Sequence, residues 1–244
     1  MSVVFRQGPL SRLAKSLRSR ARARLARNFA GRNAIHRFTA EPGIGFSVVT
    51  GCYNAELYLD DYFSSLTCQT IGFETNIEII IVDDGSSDRS FQVMEKWKRR
   101  YPANILCLQQ VNSGVAAARN ASLAHARGQW VTFIDADDFV QHDYFEKVAG
   151  GIASAGSKIA LVSCNVIGYD HASNRRTSLP WMRGRFVEGD VCVDLLSRPL
   201  LYQFGVNAVF FIGSVIQRFG LQFNPRIRPN FEDTDFVNRY IGFG

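Results

Sequence analysis

The chain has 244 residues, of which 46% are hydrophobic and 20% charged, with a net charge of +6 and five cysteines. That length and apolar content can bury a core as one large α/β domain or as one domain with an appendage. The scattered cysteines form no Cys-x-x-Cys pair, which argues against a zinc site or a disulfide framework and indicates free thiols in a reducing compartment.

The positive charge is concentrated in an N-terminal arm. Residues 1–40 hold ten of the 28 Lys and Arg and none of the 22 Asp and Glu, so the remainder carries 18 basic against 22 acidic groups, a net charge of −4. Residues 11–27 combine helical propensity with a thin apolar stripe among arginines. Three interpretations stay open: a solvated or disordered leader, a segment that binds anionic phospholipid through residues 6–37, and nucleic-acid binding. The last is least favoured, because no binding module follows.

The sequence shows no signal for export or for membrane insertion. The first residues lack the apolar core of a secretory signal, and residues 205–216, the longest weakly polar stretch, are too short to cross a bilayer. We therefore expect a cytoplasmic protein, held at the inner face of the plasma membrane if the arm binds lipid, and no nucleic-acid partner. Residues 1–42 are predicted to be this arm, a helix and linker, before the folded body.

From Phe46 onward, strand and helix signals alternate, which is typical of a mainly parallel sheet flanked by helices. In chain order the predictions are a strand at 46–50, a helix at 57–70, a strand at 77–82, a helix at 91–101, a strand at 105–108, a helix at 115–126, a strand at 129–134, a helix at 143–155 and a strand at 159–164. The fold class that follows is α/β and Rossmann-like.

The alternation weakens past residue 166. Residues 168–189 are polar and irregular. The remaining predictions are a helix at 191–197, a strand at 206–211, a helix at 214–219 and a final helix that opens at Asn230. The chain stops soon after this last helix starts, and so short a terminal helix is marginal unless it docks. We therefore expect the chain to be a shortened product of a longer parent.

Three polar loops follow predicted strands, at 51–54, 83–86 and 135–138. In an open α/β sheet, ligands bind outside the carboxyl ends of the strands, so these loops should line one crevice. The carboxylates of 135–138 suit Mg²⁺ or Mn²⁺, which bind through one or two carboxylates and substrate phosphates. The alternative is an acidic turn in which Asp138 caps the next helix. An aromatic ring, carboxylates and a metal pair together suit a nucleoside diphosphate.

Four ordered segments resemble the family 2 glycosyltransferases, inverting enzymes of GT-A fold that use nucleotide-sugar donors. They are VTGCYN at 49–54, IVDDGSSD at 81–88, NSGVAAARN at 112–120 and FIDADD at 133–138, and the resemblance returns over 221–240. One departure is Gly51, where the family usually has Pro; glycine loosens the φ restriction there. The resemblance implies a GT-A domain over 43–244, with a nucleotide-sugar-binding half at 43–140 and an acceptor-side half at 141–244.

The resemblance also implies roles for individual residues. Tyr53 would pack on the base, Asp83 or Asp84 would bond base and ribose, and Arg119 would lie near the diphosphate. The other donor-binding positions it implies are Asn54, Glu56, Asn112, Gly114, Asn120, Asp135 and Ala136. Asp135 and Asp137 would hold Mn²⁺ or Mg²⁺, with Asp137 the direct ligand. From the residues alone, 83–86 is also consistent with a tight turn, and Arg119 and Asn120 with an ordinary helix surface.

The segment FEDTDF at 231–236 resembles the Glu-Asp motif of the same family. By that match Asp233 is the general base that takes the proton of the acceptor hydroxyl, and Glu232 supports it or contacts the acceptor. The alternative is that acidic residues here only stabilise a helix N-terminus through the macrodipole.

The sequence thus predicts a metal-assisted transferase that moves a hexosyl or related group from a nucleotide-diphosphate sugar, expected to be a UDP-sugar, to a glycan or surface polymer with inversion. The acceptor would be chosen by residues 168–203. The alternatives are a catalytically incomplete nucleotide-sugar-binding domain of a larger protein, and a sugar nucleotidyltransferase. Residues 54–56 argue against the latter, which needs a glycine-rich basic loop there. A dehydrogenase is excluded because no Gly-x-Gly-x-x-Gly follows a strand.

Overall fold

The computed structural model describes residues 2–6, 45–155, 159–170, 173, 175–177, 179, 191–194, 205–227 and 231–243. The strands are β1 (Ser2–Arg6), β2 (Phe46–Cys52), β3 (Ile77–Asp83), β4 (Ile105–Gln109), β5 (Trp130–Phe133), β6 (Ile159–Cys164), β7 (Gly168–Asp170), β8 (Arg175–Thr177), β9 (Val191–Asp194) and β10 (Val209–Ile212). The helices are α1 (Leu59–Thr67), α2 (Phe73–Asn76), α3 (Ser90–Arg100), α4 (Val115–Leu123), α5 (Tyr144–Ala155), α6 (Gly213–Arg218) and α7 (Glu232–Phe243).

Eight strands form one sheet in the order β4-β3-β2-β5-β10-β6-β1-β9. Strands β4, β3, β2 and β5 run parallel to one another. Strand β10 lies antiparallel between β5 and β6, and β1 pairs antiparallel with β6. The short strands β7 and β8 form a separate antiparallel hairpin. The predicted α/β class with a mostly parallel sheet is confirmed.

Each face of the sheet buries its own apolar cluster. Ile79 and Ile81 of β3 point into the cluster that packs against α1, α3 and α5, whereas Ile80 points into the cluster under α4, α6 and α7. Successive residues of a strand face opposite sides, so a strand covered on both faces is apolar except where a buried polar group is paired, as Glu78 is by Ser47 and Arg127. All seven residues of β3 are buried, which explains the aliphatic run seen in the sequence.

Small residues bring α4 close to β2. A Cβ at Gly51 would lie 3.2 Å from Cβ of Ala118, so the helix rests on the strand where a larger pair would hold it away. Ser122 donates a hydrogen bond to the Thr50 carbonyl at 3.0 Å and fixes the position along the strand. This contact brings the start of α4, with Arg119 one turn in, to the carboxyl ends of β2 and β5.

Most of the predicted elements are confirmed, with ends shifted by a few residues. The helix predicted at 191–197 is wrong: Val191–Asp194 is strand β9, paired in parallel with β1. Its alternating β-branched residues suit a strand, and pairing with a neighbour decides the outcome. The region 168–189, predicted to be irregular, contains the β7–β8 hairpin. Strand β10 starts at Val209 rather than 206, because the chain turns first.

The N-terminal arm is described only in part. The first of its residues form β1, which lies in the sheet between β6 and β9. The helix predicted at 11–27 and the predicted linker up to residue 42 lie outside the described residues. The domain boundary at residue 42 therefore stays a prediction. Within the described part of the chain, no helix combines the length and apolar character that crossing a membrane requires.

Gly128 permits a close backbone contact that positions β5. A Cβ there would lie 2.5 Å from the Ser47 backbone nitrogen and 2.6 Å from the Phe46 carbonyl carbon. We expect Gly128→Ala to lower the free energy of unfolding by about 3 kcal/mol, because backbone has to move. Urea unfolding measures it. The matched control is Gly150→Ala in α5, where a new Cβ meets nothing within 4 Å; it should stabilise by about 0.5–1 kcal/mol. Equal effects of the two substitutions would contradict this explanation.

Candidate active site

The loops that follow β2 and β3 are fastened to each other. Asn54 accepts a hydrogen bond from the Ser87 backbone at 2.8 Å, and its own backbone N–H donates to Ser86 Oγ at 2.9 Å. The Glu56 carboxylate accepts from the Arg89 backbone at 2.9 Å and from Arg89 Nε at 2.8 Å. These bonds from Arg89 lower the pKa of Glu56. Asn54 and Glu56 thus shape one rim of the predicted donor crevice.

Tyr53 stands at the tip of this rim. Its side chain is 55% exposed, and it stacks on no other ring in the described part of the chain. An aromatic face left open in this way can pack against a base. Across the crevice, Asn112 is also exposed. Gly85 lets the loop after β3 contact the loop after β4. Its φ is 76°, and a Cβ there would lie 2.9 Å from the Asn112 nitrogen.

The two carboxylates at the end of β3 have different tasks. Asp84 accepts from the Ser113 backbone and from Gln110 Nε2, both at 2.7 Å, and from the Gly114 backbone at 2.8 Å. It therefore holds the turn that starts α4. Asp83, fully buried, accepts longer bonds from Gln109 Nε2 at 3.1 Å and from a backbone N–H at 3.2 Å. Asp83 thus has the longer hydrogen bonds of the two, and both side chains are buried.

Arg119 connects three acidic residues from separate parts of the chain. It is 4% exposed. Its Nη2 donates to Asp135 Oδ1 at 2.8 Å, and its Nη1 donates to Asp233 Oδ1 at 2.5 Å and to Glu232 Oε1 at 3.4 Å. The guanidinium also lies over the Phe223 ring, 5.4 Å from its centroid. Arg119 is thus the internal counter-ion of these three carboxylates, and its expected place near a diphosphate stays a prediction.

Asn120, the next residue, has both ends of its amide engaged. Its Nδ2 donates to the Phe223 carbonyl at 2.9 Å, and its Oδ1 accepts from the Phe223 backbone at 2.7 Å. This pair of bonds ties α4 to the segment that leads into α7. The structure gives Asn120 a positioning role, and the direct nucleotide contact expected of it stays a prediction.

The acidic turn after β5 separates its carboxylates. Both oxygens of Asp135 are occupied, Oδ1 by Arg119 and Oδ2 by Asn207 Nδ2 at 2.6 Å. Ala136 is buried, and Asp137 is exposed with no hydrogen bond or ion pair to any described residue. Desolvation by neighbouring protein atoms, together with the charges of Asp135 and Asp137, raises the pKa of Asp138 to about 6, although its side chain is partly exposed to solvent. Helix α5 begins at Tyr144, so the alternative in which Asp138 caps it is wrong.

This turn fits a divalent cation held mainly by substrate. Within the residues that the structure describes, no group of three or more His, Cys, Asp or Glu could hold a metal ion on its own. Asp137 offers one free carboxylate, and Mg²⁺ or Mn²⁺ typically takes one or two carboxylates and completes its shell with phosphate oxygens. The geometry thus favours Asp137 as the direct ligand. It gives Asp135 the task of orienting Arg119 and Asn207.

Asp233 and Glu232 open α7, the first half-buried and the second buried. Burial raises the pKa of Asp233, Arg119 opposes that rise, and the charges of Glu232 and Asp135 add to it. Its Oδ2 has only a long contact, 3.5 Å, with the Val206 backbone nitrogen. One oxygen is therefore held and the other is available to accept a proton.

Two features of this site had no sequence signal. Asn207 binds Asp135 across 72 positions of sequence, and nothing around it resembled a motif. Phe231, directly before Glu232, has a φ of 77° and is 74% exposed. A strained backbone and an exposed ring next to a carboxylate pair are features that only coordinates reveal.

The chain resembles known proteins over most of its length. The family model "Glycosyl transferase family 2" matches residues 47–218. "Minor teichoic acid biosynthesis protein GgaB" of Bacillus subtilis is 40% identical over 118 residues, which are 48% of this chain and 13% of that protein. The chain thus spans a small part of that relative.

Solved structures agree on the fold. The 1–349 fragment of Staphylococcus aureus TarS superposes with a TM-score of 0.67 at 25% identity, over 82% of this chain and 56% of that one. The same fragment has been solved in complex with UDP-GlcNAc. The mannosyltransferase PcManGT of Pyrobaculum calidifontis, in complex with GDP-Man and Mn²⁺, superposes with a TM-score of 0.58 at 15% identity, over 95% of this chain and 62% of that one. The GT-A type of fold is confirmed.

The buried position of Arg119 makes a prediction about stability. We expect Arg119→Leu to lower the free energy of unfolding by about 3 kcal/mol at pH 8, because it leaves three crowded carboxylates without their cation. The repulsion left behind acts between charged carboxylates, so we expect a larger loss at pH 8 than at pH 5. Urea unfolding at both pH values measures it.

The control for this substitution is Arg89→Ala. Arg89 pairs with one carboxylate, and its side chain is 79% exposed, so its loss should destabilise the protein far less than the loss of Arg119. A destabilisation of Arg119→Leu that is the same at pH 5 and pH 8 would show that lost packing, and not charge, accounts for it.

Proposed function

The chain belongs to glycosyl transferase family 2, and we propose that it transfers a sugar from a UDP-sugar to a hydroxyl group of a glycan or surface polymer, with metal assistance and inversion at the anomeric carbon. The match to a family of transferases supports sugar transfer. The UDP-GlcNAc complex of TarS supports a uridine donor, and the names of GgaB and of TarS, a poly(ribitol-phosphate) β-N-acetylglucosaminyltransferase, support a polymer acceptor.

One observation carries this proposal. A single guanidinium, that of Arg119, binds Asp135 on the donor side and Asp233 at the start of α7. Asp135 lies in the turn that would meet the diphosphate, and Asp233 is the residue that would take a proton. The same guanidinium holds both, so they lie close together. Such a placement suits a reaction in which donor and acceptor must meet in a fixed geometry.

The donor half uses the crevice between the joined β2 and β3 loops on one side and the loop that follows β4 on the other. Tyr53 packs on the base with its open face, and Asp83 accepts hydrogen bonds from base or ribose. Asp84, Gly114 and Asn112 form the opposite wall. Because the loops are fastened by Asn54 and Glu56, little ordering is needed when the nucleotide binds, which reduces the entropic cost of binding.

The base is Asp233. As the acceptor oxygen attacks the anomeric carbon, its proton passes to Oδ2 of Asp233. The bond from that carbon to the diphosphate oxygen breaks, and the diphosphate leaves with the electron pair. Arg119 keeps Oδ1 fixed and so directs Oδ2 toward the acceptor, while Glu232 adds negative charge that raises the basicity of its neighbour.

Asp137 would hold Mn²⁺ or Mg²⁺, with Asp135 behind it. A divalent cation there supplies Lewis-acid stabilisation of the negative charge on the leaving diphosphate. The Mn²⁺ bound with GDP-Man in the PcManGT complex supports a metal of this kind. We place the reaction in the cytoplasm, at the inner face of the plasma membrane if residues 6–37 bind anionic lipid; the described cysteines are all free thiols, consistent with that compartment.

Two substitutions test the separate roles of the acids. Asp233→Asn should reduce transfer by about 10²–10⁴-fold, since the base is lost, while Mn²⁺-dependent UDP binding persists. Asp137→Ala should abolish both transfer and the metal dependence of UDP binding. Calorimetric UDP titrations with and without Mn²⁺, and UDP release from a panel of UDP-sugars, separate the two effects.

The matched control for these substitutions is Asp235→Asn. Asp235 lies on the same helix but pairs with Arg239 at 2.6 Å, away from Arg119, so transfer should continue. Full activity in Asp233→Asn would show that Asp233 is not the general base. UDP binding without turnover in the unmodified chain would favour the alternative, a nucleotide-sugar-binding domain.

The rate of transfer should depend on pH. Because burial raises the pKa of Asp233 above its ordinary value of 3.8, the base is protonated and inactive at low pH, and kcat/KM should rise as pH increases through that raised pKa. Rates measured between pH 4.5 and 8 show this limb. Asp138 also titrates, near pH 6, so the Asp138→Asn variant is the control. This variant should keep the pH dependence. If the pH dependence disappears in Asp138→Asn, it belongs to Asp138 and not to Asp233.

A further inference from the structure

A second cavity, of about 450 Å³, lies beside Asp137. It is separate from the donor crevice, since neither Tyr53 nor Asn112 lines it. Its walls come from the turn after β5, the first turn of α5, the end of β6 with the β7–β8 hairpin, and the loop before β10. It therefore extends from the predicted metal ligand into the part of the chain that the sequence analysis assigned to the acceptor.

The charges around this cavity are unevenly compensated. Lys147 lines it and pairs with Asp143 at 2.7 Å. Arg176 also lines it, and this guanidinium has neither an ion pair nor a hydrogen bond with any residue in the described part of the chain. The free cation is on the hairpin, whereas the free carboxylate of Asp137 is in the turn after β5. A ligand that spans the cavity would thus meet an anion-binding group at the hairpin end.

Aromatic rings stand next to this cation. Tyr169 and Arg176 are directly opposite each other in the β7–β8 hairpin, so both side chains are on the same face. Tyr169 makes an edge-to-face contact with Phe139, with ring centroids 5.2 Å apart, and both rings keep more than a third of their surface exposed. Exposed ring faces of this kind pack against the C–H faces of sugars and polyols.

One polar atom of the wall lacks a partner. Asn207 donates to Asp135 through Nδ2, while its Oδ1 is buried with no hydrogen-bond partner among the described residues. A carbonyl oxygen left in this state has a desolvation cost that a ligand hydroxyl would relieve after a small movement. Asn207 thus marks the end of the cavity nearest the site of transfer.

We propose that this cavity binds the acceptor, and that Arg176 selects an acceptor chain with an anionic group, phosphodiester or carboxylate, adjacent to the hydroxyl that reacts. This inference rests on the proposed transferase function and adds the chemical class of the acceptor. The guanidinium forms paired hydrogen bonds with the anion. Tyr169 and Phe139 pack against the polyol or sugar unit, and the hydroxyl points toward Asn207 and the catalytic acids.

The position of Arg176 fits an acceptor better than a donor. The donor diphosphate would be paired with the metal that Asp137 would hold, in the turn after β5 and not on the hairpin. An anion at the hairpin end therefore belongs to a different molecule. A neutral acceptor would leave an exposed cation among aromatic rings without a role in recognition.

The test uses the full chain loaded with UDP and Mn²⁺. Three probes of equal length are titrated by calorimetry: an oligomer of glycerol phosphate, an oligouronate and a neutral oligoglucan. We expect at least one anionic probe to bind more tightly than the neutral one. Arg176→Ala should weaken that binding about tenfold, the loss expected for a charge-assisted pair of hydrogen bonds. Which anionic probe binds more tightly distinguishes phosphodiester from carboxylate.

Arg175→Ala is the matched control. Arg175 is the neighbouring residue of β8, equally exposed, and alternation places it on the opposite face of the hairpin. Its removal should change binding less than about twofold. Any non-specific attraction of the probes to the basic arm is the same in both variants, so it does not contribute to the difference between them. Equal losses in the two variants, equal affinity for the neutral probe, or no binding of any probe would overturn the proposal.

The same experiment separates this inference from the proposed function. UDP binding in the presence of Mn²⁺ is measured first and should be unchanged in both arginine variants. A chain that does not bind UDP contradicts the transferase function itself. A chain that binds and turns over UDP-sugar, with no dependence of acceptor binding on Arg176, contradicts only the assignment of the acceptor.

Discussion

The site depends on one buried cation. Arg119 is enclosed between the sheet and α7, where a charge without partners would be highly unfavourable. It is stable there because Asp135, Glu232 and Asp233 converge on it, and these acids tolerate one another because the guanidinium lies between them. Arg119 thus needs the three acids to be stable in its buried position, and the acids need Arg119 to lie so close together. The interaction joins the end of β5, the first turns of α4 and the start of α7 into one unit.

Backbone strain is concentrated around this unit. Three non-glycine residues in the described part of the chain have positive φ: Asn54 at 51°, Ala208 at 60° and Phe231 at 77°. Asn54 fastens the donor loops, Ala208 follows the residue that binds Asp135, and Phe231 precedes Glu232. Conformations of this kind persist only where surrounding contacts impose them, and they often occur at functional sites. Their positions here agree with a crevice whose walls are set before substrate binds.

How far the sequence predicts the structure follows from the range of the interactions. Hydrophobic period and loop composition are local, so the strands and helices from residue 46 to 164, apart from the short α2, and the carboxyl-end loops were predictable. Strand β9 was not, because its partner β1 lies almost 190 positions away. The four motifs indicated which acids matter, but not that Arg119 would neutralise them or that Asn120 would hold Phe223. These contacts span up to 114 positions, and no pattern along the chain encodes them.

The distribution of charge divides the acids of the site between two environments. Inside the site, Arg119 compensates Asp135, Glu232 and Asp233, and no external ion is required for the fold to hold them. At the rim, Asp137 and Asp138 have no cationic partner among the described residues, and desolvation together with the charges of Asp135 and Asp137 raises the pKa of Asp138. A divalent cation that arrives with a diphosphate would meet the carboxylates that the fold has left without a counter-ion. The spacing of Asp135 and Asp137 therefore joins two environments: one residue faces the protein's own cation, and the other faces the crevice.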